Sequence, residues 1–318
     1  MKEFAKKIHF EKWKAWIYLS PAVILLLVFT VWPIFNTLRM AFLEGHTLMG
    51  DVGGIAYRFG IGNFTRVLNY HNFLTCLKNT ILLCVLTVPL STLLALIIAV
   101  CLNSIKPLQR FLQTIFFLPY VTNSIAIGMV FAAMFNMIMG GGVRPDSVGI
   151  INNLIELIAG EGSYINWVNY GSDYSANIIV MVIYIVWNAL PFKILILLGG
   201  LQSVNKQYYD AAKIDGTSRL RTFTRITVPL LSPMLAYVII TGFIGGFKEY
   251  SSIVGIFGEN MGPAHDPDSL NTMVGFIYKS LTENDQTGTA SAAALILFGI
   301  IFIVTMINLY VSKKNTHY

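Results

Sequence analysis

Apolar residues run through this chain in blocks too long for the core helices of a small soluble domain and too uniform for alternating strands. Six blocks reach the roughly 20 residues that a helix needs to cross the hydrocarbon of a bilayer. They cover about 16–35, 80–102, 112–139, 177–198, 233–257 and 290–311. A spanning segment must satisfy its own backbone polar groups in lipid, and these runs are longer than barrel strands, so each is predicted to be an α-helix. The third block exceeds one crossing, which predicts a tilted helix or one that extends past the lipid.

The connectors differ in character. One, at about 44–72, carries Gly53-Gly54. The next holds Gly140-Gly141-Gly142 and then SVGIINNLIELIAGEGSYINW, whose apolar residues recur at helical spacing and predict a short amphipathic helix. A third contains Pro263, His265, Asp266, Pro267 and Asp268. These outer connectors read either as surfaces for an extracytoplasmic partner or as solvated links. No internal repeat or low-complexity tract appears. The organisation expected is an N-terminal tail (1–15), a single membrane domain (16–311) and a C-terminal tail (312–318). The first block is too long for a signal-peptide core and has no A-x-A-like cleavage pattern, so it is read as retained.

Composition agrees with the pattern. Hydrophobic residues make up 55% of the 318 residues and charged ones only 12%, against about 25% charged in soluble domains. The fold class expected is therefore all-α integral membrane with six transmembrane helices. The net charge of +6 does not indicate nucleic acid, because the cations lie between apolar blocks. Lys2, Lys6, Lys7, Lys12 and Lys14 precede the first block, and Lys106 and Arg110 follow the second. Lys206, Lys213, Arg219, Arg221 and Arg225 follow the fourth, and Lys313 and Lys314 follow the sixth. The alternate connectors hold fewer, Arg58, Arg66, Lys78, Arg144 and Lys279, besides Arg39 at the edge of the first block. The positive-inside rule then places both termini in the cytoplasm. Lys193, near the cytoplasmic end of the fourth block, is expected to snorkel to water.

Cys76, Cys84 and Cys101 are odd in number and lie in or beside apolar blocks, so they read as small buried residues without a disulfide framework. His46, His71 and His265 lack metal-ligand spacing. The chain contains no Gly-Lys pair, so it has no GxxxxGK[ST] loop to hold nucleotide phosphates. No cofactor bound by this chain is expected.

The stretch YYDAAKIDGTSRLRTFTRITVPLLSP (208–233) is compact and charged between apolar blocks. Val204, Tyr208, Ala211 and Ala212 fall at i, i+4, i+7 and i+8, on one face of a short helix over 205–215. The alanines leave that face flat. Gly216 suits a left-handed C-terminal residue, and Ser218 suits the cap of the next turn. Leu220, Phe223 and Ile226 form a second stripe, with Arg219, Arg221 and Arg225 mainly away from it. Pro229 is expected to end this second helix, and Pro233 to sit in the first turn of the next one. Two short helices joined at a sharp corner read as a docking element, or as an amphipathic hairpin on headgroups.

This segment resembles the cytoplasmic EAA loop of ABC importer membrane subunits: E-A-A, three residues, G, nine residues, I, one residue, L-P. Asp210-Ala211-Ala212 stand at E-A-A, Gly216 at the glycine with Asp215 before it, Ile226 at the isoleucine and Val228-Pro229 at L-P. Spacing is kept; Asp210 for Glu and Val228 for Leu are the departures. LSPAVILLLVFTVWPIFNTLRMAF (19–42), FGIGNFTRVLNYHNFLTCLKNTILL (59–83) and TGTASAAALILFGIIFIV (287–304) are similar to segments of the carbohydrate-type permeases, the group of the maltose and glycerol-phosphate importers. The resemblance implies a type I ABC importer permease fold with its core at about 72–311, in a bacterial inner membrane. It further implies ATPase coupling through a loop at 199–229 and through Asp210, Ala211, Ala212, Asp215, Gly216, Ile226 and Pro229. The implied partners are a second permease subunit, two cytoplasmic ATPases that carry ATP and Mg, an extracytoplasmic binding protein, a carbohydrate and membrane lipid.

Polar and aromatic residues inside the blocks are candidates for a substrate path: Asn123, Asn136, Tyr184, Trp187, Asn188, Lys248, Glu249 and Tyr250. Each also has a structural reading, because amides bond across helices and rings fill cores. Lys248 and Glu249 are adjacent and cannot face one another on a helix. Either the fifth helix is interrupted there, or it ends near Phe247 and the charges reach water. The small run 290–294 reads as helix packing. An ion-coupled carrier would need a relay of membrane acids, yet Glu249 is the only acid in a block. A non-transporting receptor would leave the coupling-loop match without a role.

Overall fold

The computed structural model describes residues 2–105, 109–138, 145–282 and 285–315. Lys106, Gly140-Gly141-Gly142 and Arg144 lie outside them. The helices in chain order are α1 (Lys2–Leu26), α2 (Trp32–Ala41), α3 (Leu48–Val52), α4 (Gly62–Leu68), α5 (Phe73–Ser104), α6 (Gln109–Val121), α7 (Ser124–Phe135) and α8 (Ile150–Ala159). They continue with α9 (Tyr174–Ser203), α10 (Lys206–Ile214), α11 (Arg219–Thr222), α12 (Val228–Leu230), α13 (Ser232–Gly246), α14 (Ser251–Phe257), α15 (Met273–Thr282) and α16 (Thr287–Asn315). A two-strand antiparallel pair, β1 (Met137–Ile138) and β2 (Ser147–Val148), precedes α8. Among the described residues four helices are long and apolar enough to cross a membrane, or up to six if each of two bent pairs is one span.

One bent pair corrects the third predicted span; the other, Arg219–Leu230 with Ser232–Gly246, bends by 68° at the entry to the fifth. The third is not a tilted rod: its two segments, Phe111–Val121 and Ser124–Phe135, meet at 98°. Pro119 weakens the end of α6. Asn123 then caps α7, its side chain accepting the Ile125 N–H at 2.8 Å. The fifth span also stops short. α13 ends at Gly246, residues 247–250 form a turn, and α14 begins afresh at Ser251. The helix is therefore interrupted at Lys248-Glu249.

Pro229 does not end its helix. In a widened turn over Phe223–Thr227, the Val228 N–H bonds the Phe223 carbonyl five residues back. The extra residue spares Pro229 the carbonyl its ring would strike, and the break falls at Leu231 instead. The first span repeats the device: the Trp32 N–H reaches Leu27 O immediately before Pro33.

The chain forms two compact units, Met1–Tyr70 with Ile277–Ile296, and His71–Phe276 with Leu297–Tyr318. In the first, the fully buried Asn63 amide donates to Leu43 O and Ala41 O and accepts from the Gly45 N–H. His46, expected as a lone loop histidine, is buried between Thr287 Oγ1 at 2.6 Å and Asp51 Oδ2 at 2.8 Å. Asp285 accepts the Leu48 N–H at the start of α3.

The second unit is built on α5 packed along α9. α5 satisfies its hydroxyls internally: Thr80, Thr87, Ser91 and Thr92 each donate to the carbonyl four residues back. One core cluster joins Leu83, Phe131, Met181, Tyr184 and Ile253. Another joins Ala95, Leu96, Leu197, Leu198, Leu231 and Val238. Backbones meet closely where side chains vanish. A Cβ on Gly128 of α7 would lie 2.6 Å from Gly255 Cα of α14. A Cβ on Gly242 of α13 would lie 3.1 Å from a Val88 methyl, and one on Gly246 would lie 2.8 Å from Cys84 Sγ. This GxxxG edge therefore runs along α5.

Candidate functional site

Two features of the second unit bear on function: a cavity among the long helices and the bent loop after α9. The cavity, of about 290 Å³, lies among α5, α6, α9 and α13. Asn188 and Glu249 of the expected path residues line it, together with Tyr120, Phe192, Thr241 and Lys193. Tyr120 and Phe192 stack at 5.9 Å. The Glu249 carboxylate accepts the Ser252 N–H at 3.2 Å, which fixes it at the start of α14.

Lys193 does not snorkel. It is only 4% exposed, and its ammonium donates to Ser91 Oγ at 2.7 Å, Thr92 Oγ1 at 3.0 Å and Val88 O at 3.2 Å. α9 points it into α5, where the hydroxyls and one carbonyl match the three N–H donors. Sequence reasoning missed this role. Ser91-Thr92 is a polar pair within the second block, but nothing in the sequence connects it to Lys193.

The other path candidates are placed differently. Tyr184 is fully buried in the core cluster, and its hydroxyl donates to Ser124 O. Trp187 packs on Phe131 at 5.3 Å. Asn123 is the α7 cap, and Asn136 ends that helix with its Oδ1 accepting from Asn169 Nδ2 at 2.6 Å. Lys248 is exposed and Tyr250 half-buried in the turn between α13 and α14.

The loop after α9 has the expected two-helix form. α10 is capped by Asn205, whose side chain accepts the Gln207 N–H at 3.0 Å. Gly216 adopts φ +64°, the left-handed conformation that favours glycine. The Ser218 hydroxyl accepts the Arg221 N–H at 3.4 Å. The alanine face divides: Ala212 is buried in its own chain, whereas Ala211 is exposed beside Tyr208 and Ile214, the last 87% exposed. Arg219, Arg221 and Arg225 are exposed. Asp210 and Asp215 are also exposed, and Ile226 and Pro229 half-buried. An apolar strip rimmed by charge thus lies on the outside of a rigid corner.

At the opposite end of α9, the buried Asn79 amide joins three elements. It accepts from the Tyr174 hydroxyl at 2.7 Å and donates to Ser269 O and Asn271 O. Lys78, Tyr174, Asp266 and Asp268 frame a recess of about 380 Å³ there. His265 accepts the Gly171 N–H at 2.9 Å and packs edge-on to Tyr170.

Comparison with known proteins places these features in a family. The chain is 28% identical over 304 residues to the arabinooligosaccharides transport system permease protein AraP of Halalkalibacterium halodurans, covering 95% of this chain and 88% of the relative. It is 28% identical over 302 residues to the lactose transport system permease protein LacF of Rhizobium radiobacter, covering 94% of each. A solved bacterial ABC transporter involved in the import of the acidic polysaccharide alginate contains a chain of the same fold. That chain has a TM-score of 0.78 at 18% identity, with 99% of this chain and 100% of that chain covered. Residues 91–317 match the family described as binding-protein-dependent transport system inner membrane component, and the chain belongs to that family of multi-spanning ABC permease subunits.

Proposed function

We propose that this subunit forms half of the translocation pathway of an importer for a carbohydrate, in the range of an oligosaccharide. It couples to a separate ATPase, which carries ATP and Mg, through residues 205–229. The rigid corner at Gly216 carries the reading. Its left-handed backbone orients α10 so that Tyr208, Ala211 and Ile214 stay uncovered by their own chain. Exposed apolar residues on a preformed helix fit a groove on a partner. In this scheme Asp210, Ala211, Ala212, Asp215, Gly216, Ile226 and Pro229 hold or shape the contact, and both termini lie in the cytoplasm with it. A second permease subunit and a pair of ATPases complete the importer. The recess around Tyr174 and Asp266 then faces the binding protein.

The cavity supports the carbohydrate reading. Amide, hydroxyl and charged groups beside a stacked aromatic pair suit a solute with many hydroxyls and flat C–H faces. The names of AraP and LacF point the same way. Asn188 and Glu249 are its path residues. Asn123, Asn136, Tyr184, Trp187, Lys248 and Tyr250 shape or border that path.

The loop is tested with Ala211→Glu and Gly216→Val, assayed for membrane insertion, for ATPase co-purification and for ATP-driven uptake. Ala211 is exposed, so its variant should insert normally. A β-branched residue at the left-handed position costs about 1–2 kcal/mol locally. Loss of about 1.4 kcal/mol of contact energy would weaken ATPase retention about tenfold. Undiminished retention and uptake in both variants would remove the docking role.

A further inference from the structure

Lys193 is a cation inside a membrane span with no salt bridge among the described residues. Its three contacts are all neutral oxygens. α5 does not need it, because the Ser91 and Thr92 hydroxyls already donate to Thr87 O and Val88 O. The α5–α9 interface beyond it is apolar and closely packed, through Ala95, Leu96, Leu197 and Leu198. A buried charge is costly relative to a hydrophobic residue of similar size, so a tether alone is better made by methionine. An intramembrane charge facing a cavity marks a path.

We propose that Lys193 is a positioning residue of the translocation cavity and makes it selective for uncharged saccharides. The inference rests on the reading of this cavity as the path. Lys193 and Glu249 give the cavity one fixed cation and one fixed anion. An ion of either sign is attracted by one and repelled by the other, so the pair gives neither sign a net gain. An acidic sugar could bind the ammonium only by displacing Ser91, Thr92 or Val88 from its three N–H groups. An uncharged sugar needs no such exchange. Its hydroxyls can donate to Glu249 and bond Asn188 and Thr241, while its C–H face rests on Tyr120 and Phe192. Lys193 acts through Ser91, the contact hydroxyl that also lines the cavity: by donating to its oxygen it fixes and polarises that group on the α5 wall.

The test uses the assembled transporter in proteoliposomes with its binding protein, measuring sugar accumulation and ATP hydrolysis side by side. The cargo probes are labelled neutral trisaccharides (maltotriose and arabinotriose) and a uronic-acid trisaccharide. The wild type should accumulate a neutral probe and not the uronate. Lys193→Met should retain hydrolysis stimulated by the binding protein to within about twofold. Its accumulation of the neutral probe should fall about tenfold or more, as Ser91 loses the donor that fixes it on the cavity wall. Lys193→Arg should recover part of that loss. Parallel loss of accumulation and hydrolysis would make Lys193 a structural tether, and no loss of either would make it a bystander. Both results overturn the proposal, as does a wild type that carries the uronate. A wild type whose hydrolysis never responds to a binding protein would sink the importer reading instead.

Discussion

Single side chains in this protein set where helices break. Pro33 and Pro229 sit directly after widened turns, so neither interrupts the helix around it. Asn123 and Glu249 each accept an N–H at the start of a new helix, α7 and α14. Tyr184 extends the same logic across helices, its hydroxyl reaching Ser124 O from the middle of α9. Tyr184→Phe keeps the ring in the core and leaves that carbonyl without its α9 partner. We expect a loss of about 1 kcal/mol, read as a lower unfolding midpoint in detergent, with the protein still inserted. Residue roles at this scale were only partly legible in the sequence. The cap at Asn123 could have been read from Pro119 and the polar Thr122-Asn123 within an apolar block. The buried site of Lys193 could not, because hydropathy places a lysine by its distance from a block end and carries no record of the hydroxyls on another helix.

Elements follow the hydrophobic pattern closely where they are continuous. The second, fourth and sixth blocks became α5, α9 and α16, each longer than its apolar stretch because flanking turns continue the helix. The amphipathic helix α8 and the corner at Gly216 were also legible, since each depends on local spacing. The third and fifth blocks misled, because apolar composition is blind to a bend or a break. Their second halves, α7 and α14, meet where Gly128 and Gly255 approach backbone to backbone. Gly255→Val should therefore be worse than an ordinary core substitution, with a cost of about 3 kcal/mol or more from overpacking against immovable backbone. Reduced yield of folded protein by fluorescence-detected size exclusion would show it. Gly245→Ala, where a Cβ meets nothing within 4 Å, should be tolerated. Equal behaviour of the two variants would contradict the packing argument.

For the whole molecule, the distribution of cations and the direction of α9 make one joint prediction. The Lys206–Ile214 helix and the recess at Tyr174 lie at opposite ends of α9 and should face opposite sides of the membrane. In a variant with Cys76, Cys84 and Cys101 replaced, a cysteine at exposed Gln207 should react with an impermeant maleimide only from the cytoplasm. One at exposed Ala264 should react only from outside. Reversed or equal labelling would refute the orientation. The Gly128–Gly255 crossing has a consequence beyond stability. With no side chain between them, α7 and α14 have no rotamers to absorb a relative shift. A tilt of one is passed to the other as to two teeth of a gear. A displacement begun at the Asn123 bend would thus arrive at the Glu249 carboxylate, and the kink in one span would steer the charge at the break in another.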